Sequence, residues 1–133
     1  MLGRFLGKQT EATYALLRVV AGLMFAFHGL QILFGTLSKY PIPPAFSQTW
    51  IGGVIELVTG VAIAVGALTV WAAFLASGTM AVAYVQFHWK LQFGANFFPA
   101  VNQGEMSLLY AVLFFFVACR GAGRWSVDGR RKA

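Results

Sequence analysis

Charged side chains are scarce in this chain. They make up 11% of its 133 residues, against about 25% in average soluble domains. Only four residues are acidic, whereas 59% of the sequence is hydrophobic. With a mean hydropathy of +0.70, this composition excludes an ordinary soluble domain and indicates a single small membrane domain over residues 1–133.

Cysteine is almost absent, since Cys119 stands alone. One thiol excludes an internal disulfide, and the sequence contains no CxxC pair, no Cys/His zinc spacing and no haem-attachment motif. The two histidines and the few carboxylates are not spaced as metal ligands are. We therefore expect neither a metal site nor a covalently bound cofactor.

Basic residues are the one charge class in excess, and they give a net charge of +6. They lie near the ends of apolar segments and form no groove-lining pattern, so nucleic-acid binding is not expected. Lysines and arginines that flank membrane spans set the topology and contact anionic headgroups. Membrane lipids are therefore the partners that this pattern indicates.

Four apolar segments predict an all-α, polytopic membrane protein. The first, LRVVAGLMFAFHGLQILFG at 17–35, is apolar at almost every position. At about 1.5 Å per residue it comes to roughly 28 Å, close to the ~30 Å thickness of the hydrocarbon core. The whole pattern predicts a four-transmembrane-helix bundle with helices at about 12–36, 49–66, 68–90 and 105–120.

Lysines and arginines divide unequally between the two ends of this bundle. Lys39 and Lys90 belong to the end with the middle loops. By the positive-inside rule, the excess at the other end predicts that both termini are cytoplasmic. Arg18 is either such a topology anchor or the partner of an acid or headgroup at similar depth. The residues at the terminal end are Arg4, Lys8, Arg18, Arg120, Arg124, Arg130, Arg131 and Lys132.

The second helix is predicted to carry a ridge of small residues. Gly52, Glu56, Gly60 and Ala64 recur every four residues, so they share one face. Small residues let a neighbouring helix approach closely, and Gly52 and Gly60 are assigned a structural role for this reason. Glu56 belongs to the same ridge and is predicted to face protein instead of lipid.

Polar side chains are predicted to gather in the external half of the bundle. An ionisable group at the bilayer centre costs about 2.5–3.5 kcal/mol, so its presence calls for a partner or a function. His28 and Glu56 have similar predicted depths, and antiparallel packing of their helices would bring them together. The candidates for a shared ligand or quinone pocket are His28, Gln31, Glu56, Tyr84, His88 and Glu105.

Simpler roles remain open for these candidates. His28 is either a packing residue or a group for proton exchange and for a carbonyl-bearing ligand. Glu56 either fixes the helix register or lines the pocket. Tyr84 and His88 also fit an interfacial aromatic belt, and Glu105 complements the dipole at a helix N-terminus.

The chain resembles the DoxX family of small four-helix membrane proteins. The matching pieces are LLRVVAGLMFAFHGLQILFG at 16–35, GGVIELVTGVAIAVG at 52–66, QGEMSLLY at 103–110 and RGAGRWSVD at 120–128. The chain departs from the family at Gln31, where a lysine is frequent. The resemblance implies a four-helix bundle in the bacterial cytoplasmic (inner) membrane.

The same resemblance implies recurrent residues and a link to redox chemistry. Arg18, His28, Glu56 and Glu105 fall on recurrent family positions, and the tail motif contains Ser126 and Asp128. One relative is a subunit of a thiosulfate:quinone oxidoreductase, and others are linked to oxidative-stress complexes. A shared fold does not by itself assign an activity to this chain.

Three functions are consistent with these observations. The first is an accessory subunit of a larger, redox-linked membrane assembly, with other membrane subunits or further copies of the chain as partners. The second is a quinone-interacting oxidoreductase subunit, in which His28 and Glu56 hydrogen-bond the quinone carbonyls and a partner supplies the electrons. The third is a small lipid or solute carrier, which the lack of an inverted repeat disfavours. We expect quinone or lipid as the ligand and no catalysis by the chain alone.

Overall fold

The computed structural model describes residues 1–132, and all regular structure within them is helical. The helices are α1 (Leu2–Gly7), α2 (Thr10–Phe34), α3 (Gln48–Val65), α4 (Thr69–Ala83), α5 (Pro99–Asn102), α6 (Glu105–Arg120) and α7 (Val127–Arg131). A π-helical turn, Tyr84–Trp89, extends α4, and a 3-10 turn, Ala95–Phe97, precedes α5. With that π-helical turn counted as part of α4, the ends of the four long helices lie within two residues of their predicted positions.

Three helical stretches in the described residues are long and apolar enough to cross a bilayer: Thr10–Phe34, Gln48–Val65 and Thr69–Trp89. Helix α6 has 16 residues. At about 1.5 Å per residue it comes to roughly 24 Å, short of the ~30 Å hydrocarbon thickness. The fold is therefore that of an all-helical membrane protein with three helices of spanning length.

Helices α2 and α3 pack backbone against backbone. A Cβ atom on Gly22 would lie 2.6 Å from the backbone nitrogen of Ala64, and one on Gly29 would lie 2.5 Å from that of Leu57. Gly60 is equally tight, since its Cβ would lie 2.7 Å from the carbonyl oxygen of Gly22. Glycine is required at these points because the two helices leave no room for a side chain.

The predicted glycine ridge on α3 is partly wrong. A Cβ on Gly52 would meet nothing within 4 Å, whereas one on the neighbouring Gly53 would lie 2.6 Å from the Ile32 side chain. One residue along a helix corresponds to a rotation of about 100°, so α3 presents Gly53 to α2 and leaves Gly52 on another face. Gly60 does lie in the close contact, as its assigned structural role requires.

An aromatic core joins α2 to α6. The ring of Phe25 on α2 lies 4.9 Å from that of Phe114 and 5.4 Å from that of Tyr110, both on α6. Helix α4 is tied to α6 by Ser77, whose hydroxyl donates to the carbonyl of Ala111 at 2.7 Å. These contacts place α2, α3, α4 and α6 around one interior.

Arg18 is fully buried and pairs with carbonyl groups instead of an acid. Its guanidinium donates to the last carbonyls of α3, those of Ile63 and Ala64, both at 2.8 Å. It also donates to the carbonyl of Trp125 at 2.8 Å and to that of Arg124 at 3.2 Å. Arg18 therefore satisfies the open C-terminal end of α3 and fastens the tail to it. A snorkelling anchor would reach water, and this side chain does not.

The tail motif closes the turn between α3 and α4. The Asp128 carboxylate accepts from the backbone N–H groups of Leu68 and Thr69 at 2.9 and 2.8 Å, at the start of α4. The Asp128 N–H donates to the carbonyl of Gly66 at 2.8 Å. Ser126 caps α7, accepting from the N–H of Gly129 at 3.0 Å. Asp128 thus caps a helix distant in sequence.

Both ends of the chain meet at one end of the bundle. Tyr14 near the start of α2 donates to the carbonyl of Gly121 at 2.6 Å. Glu11 forms an ion pair with Arg120, whose guanidinium lies 4.3 Å from the centre of the Tyr14 ring. The segments 35–47 and 90–104 consequently lie at the opposite end.

Candidate functional site

A cavity of about 1040 Å³ opens between α3 and α4 and reaches inward to α2 and α6. Its volume is just above the ~300–1000 Å³ range of small-molecule sites. Three predicted pocket residues line it: His28 from α2, Glu56 from α3 and His88 from the π-helical turn. The topology thus brings together side chains from three separate helical segments.

Glu56 is the buried carboxyl group of this cavity. Its side chain is 7% exposed, and its Oε2 atom has no hydrogen-bond partner among residues 1–132. A buried carboxyl oxygen without a partner is unfavourable in an apolar surrounding. A hydrogen bond from Oε2 to a neighbouring helix would fix the helix register, and Glu56 makes no such bond within the described residues.

Tyr110 lines the same cavity and was not among the predicted residues. It is 5% exposed, and its hydroxyl has no hydrogen-bond partner within the described part of the chain. The ring of His28 lies edge-on to the Tyr110 ring, with 6.5 Å between their centres. Two unpaired polar groups, an acid and a phenol, therefore line one cavity beside an imidazole.

The end of the cavity nearer to the 90–104 segment is organised by Asn102. Its carbonyl lies 3.2 Å from Nδ1 of His88, and its side-chain amide donates to the Tyr84 hydroxyl at 3.2 Å. Its Oδ1 accepts from the N–H of Gly104 at 2.8 Å. If His88 donates through Nδ1, its Nε2 is an acceptor. Asn102 therefore orients the imidazole of His88, which lines the cavity.

Three predicted residues do not line the cavity. Gln31 lies half-buried on α2, where Ile32, one turn after His28, takes the cavity position. Tyr84 is hydrogen-bonded within the Asn102 network. Glu105 is exposed at the first residue of α6, where an acid complements the helix dipole. Counting residues along a helix predicts the depth of a side chain but not the face of the helix on which it lies.

The outer walls of the cavity are apolar and exposed. Trp71 and Phe74 are 76% and 60% exposed, and Phe87 and Met106 are 53% and 50% exposed. All four line the cavity. Apolar side chains this exposed are suited to contact with lipid acyl chains.

Sequence similarity assigns this architecture to a known family. A family model described as DoxX matches residues 13–89, which is more than half of the chain. The chain belongs to the DoxX family. An uncharacterized protein of Haemophilus influenzae is 35% identical over 123 residues, covering 87% of this chain and 88% of that protein. No solved structure matches.

The family match of this DoxX protein covers three of the four walls of its cavity. His28, Glu56 and His88 lie within residues 13–89, whereas Tyr110 lies beyond them. Tyr110 could have been found from the sequence. Interfacial tyrosines lie at helix ends, but Tyr110 lies more than one turn inside α6, where its hydroxyl has no access to water.

Proposed function

We propose that this DoxX protein is a small membrane subunit whose cavity binds a lipid-soluble, carbonyl-bearing ligand of the quinone class. The single observation that carries the proposal is the pair of unpaired buried polar atoms, Glu56 Oε2 and the Tyr110 hydroxyl, in one cavity with apolar outer walls. Such atoms call for a hydrogen-bonding ligand.

The donor set fits both forms of a quinone. The Tyr110 hydroxyl can donate to a carbonyl oxygen, and the Glu56 carboxyl can donate when protonated or accept from a quinol hydroxyl when ionised. His28, edge-on to Tyr110, adds an imidazole that can take or give a proton. The exposed apolar walls around Trp71 and Phe74 suit an isoprenoid or acyl tail.

The protein acts in this proposal as an accessory subunit of a larger redox-linked assembly. The electrons come from a partner chain, and the residues of this chain bind the ligand, exclude water and exchange protons. We place it in the cytoplasmic (inner) membrane of a bacterium, with α6 as a fourth span and both termini in the cytoplasm. The basic residues at the terminal end support that orientation.

The experiment measures how much quinone copurifies with the protein when it is extracted gently from its native membrane. Wild type is compared with Glu56→Gln and Tyr110→Phe, which keep side-chain shape and remove one function each. Glu105→Gln is the matched control, because Glu105 is exposed at the start of α6 and outside the cavity. We expect about one quinone per chain in wild type and in the control. Because a lost hydrogen bond to a buried polar group costs about 1–3 kcal/mol, we expect about a tenfold loss of affinity in each cavity variant.

Three results would contradict the proposal. Equal quinone content in all four proteins would show that quinone binds elsewhere or is carried by the lipid. A protein without quinone that moves a lipid or solute between vesicles would identify a carrier instead. Partner chains that copurify in a fixed ratio with wild type support the subunit role, and a chain that purifies alone argues against it.

A further inference from the structure

A second pocket lies at the end of the bundle that carries the termini. It has a volume of about 550 Å³ and is walled by the start of α4, the end of α6 and the helix α7. Its charged polar lining distinguishes it from the quinone-class cavity, with which it shares Trp71.

The charge of this pocket is positive. Arg120, Arg131 and Lys132 line it, and Asp128 is the acid among its lining residues. Asp128 is already engaged by the N–H groups of Leu68 and Thr69. Arg120 is paired with Glu11. Arg131 and Lys132 form no ion pair within residues 1–132, although the charge of Arg131 helps to lower the pKa of the Asp128 carboxyl group, so both cations can bind an added anion.

An apolar surface adjoins these cations. Trp71, in the first turn of α4, lines both this pocket and the large cavity, and it is 76% exposed. Val70 and Leu68 beside it are 48% and 64% exposed. A tryptophan at the end of a spanning helix marks the depth of the headgroups. Cations and apolar side chains therefore meet at the level where a phospholipid changes from headgroup to chain.

We propose that this pocket binds the phosphate of an anionic phospholipid. Arg131 and Lys132 hold the phosphate, and an acyl chain descends along Trp71 between α3 and α4. A guanidinium matches phosphate oxygens in a bidentate manner, and an ammonium adds a point charge. Asp128 does not repel the ligand strongly, because its carboxylate is turned to the backbone of α4.

The experiment counts lipids on the detergent-purified protein by native mass spectrometry after addition of phosphatidylglycerol or phosphatidylcholine. The test variant is Arg131→Gln with Lys132→Gln. The matched control is Arg4→Gln with Lys8→Gln, which removes the same charge from exposed residues at the same end and outside the pocket. We expect wild type and control to retain one phosphatidylglycerol, and the test variant to bind it about tenfold more weakly.

Two further measurements distinguish a phospholipid headgroup from free phosphate as the ligand. Inorganic phosphate is added in place of lipid, and Trp71→Ala is tested with both. The proposal requires that Trp71→Ala weaken the lipid adduct and that inorganic phosphate compete poorly. If inorganic phosphate displaces lipid at equal concentration, the pocket is a free-phosphate site. If the control loses lipid as strongly as the test variant, general charge attraction explains binding and the proposal is overturned.

Discussion

The four acidic residues of this protein have four different surroundings. Glu11 is paired with Arg120, Asp128 caps α4, and Glu105 begins α6 at the surface. Glu56 alone is buried with an unpaired oxygen, among residues 1–132. This contrast is the reason why Glu56 is the centre of the functional proposal, since the first three have sufficient structural explanations.

The contribution of Asp128 to the stability of the fold is expected to depend on pH. Hydrogen bonds from the backbone N–H groups of Thr69 and Leu68 hold the pKa of its carboxyl group below the usual value. A depressed pKa in the folded state contributes stability that is present above the unfolded pKa, about 3.9. That contribution is lost as the pH falls from there through the folded pKa.

We therefore predict that Asp128→Asn destabilises the protein by about 1 kcal/mol at neutral pH, because a carboxylate cap is lost. The measurement is thermal unfolding in detergent between pH 7 and pH 3. The difference between wild type and variant should shrink below about pH 4. A difference that is constant over the whole range would show that the ionised carboxylate is not what stabilises the turn.

Some of the site could be predicted at this scale and some could not. His28 and Glu56 do line one cavity, and their similar depths follow from counting residues along two antiparallel helices. Gln31 was grouped wrongly, because the direction of a side chain around α2 depends on which face packs against α3. Arg18 was predicted as an anchor or an acid partner, since no sequence pattern shows that carbonyl groups converge on it.

Among the elements, the contact between α2 and α3 is the closest, since it leaves no room for side chains at Gly22, Gly29 and Gly60. Spacing of small residues predicted such a contact on α3. It chose Gly52, which has Gly60 and Ala64 on the same four-residue spacing, over the adjacent Gly53, and that choice is wrong. The deciding factor is the rotation of α3 about its axis, which is set by packing against α2.

We predict that Gly60→Ala destabilises the bundle by about 1–3 kcal/mol, because the added methyl group overpacks the α2–α3 contact. Gly52→Ala is the matched control, with open space at its Cβ position and a gain in helix propensity. Thermal unfolding of both variants in the same detergent is the measurement. Equal melting temperatures for the two variants would contradict the backbone-to-backbone packing.

In the whole molecule the N-terminal and C-terminal segments lie at the same end of the bundle. A cavity opens between α3 and α4. The positive-inside count of eight against two included Arg18, which is buried inside the bundle. Without it seven basic residues remain at the terminal end, so the predicted orientation is unchanged. The short helix α6 is the element on which the number of spans depends.

We predict that reporters fused to the N-terminus and to the C-terminus are cytoplasmic, and that a reporter in the 90–104 segment is external. Paired fusions to alkaline phosphatase and to a fluorescent protein that folds only in the cytoplasm make the measurement in intact bacteria. This arrangement follows if α6 spans the membrane in spite of its length, with local thinning of the bilayer. An external C-terminus together with a cytoplasmic N-terminus would leave three spans and contradict the predicted topology.

The most direct measurement of the quinone site is photolabelling of the purified protein in lipid by an azido-quinone, with the labelled residues mapped by mass spectrometry. We expect labels on the cavity-facing residues of α3, α4 and α6, and their loss in Glu56→Gln but not in Glu105→Gln. Labels spread over the outer faces of all helices, and unchanged in Glu56→Gln, would show that Glu56 and Tyr110 do not form a quinone site.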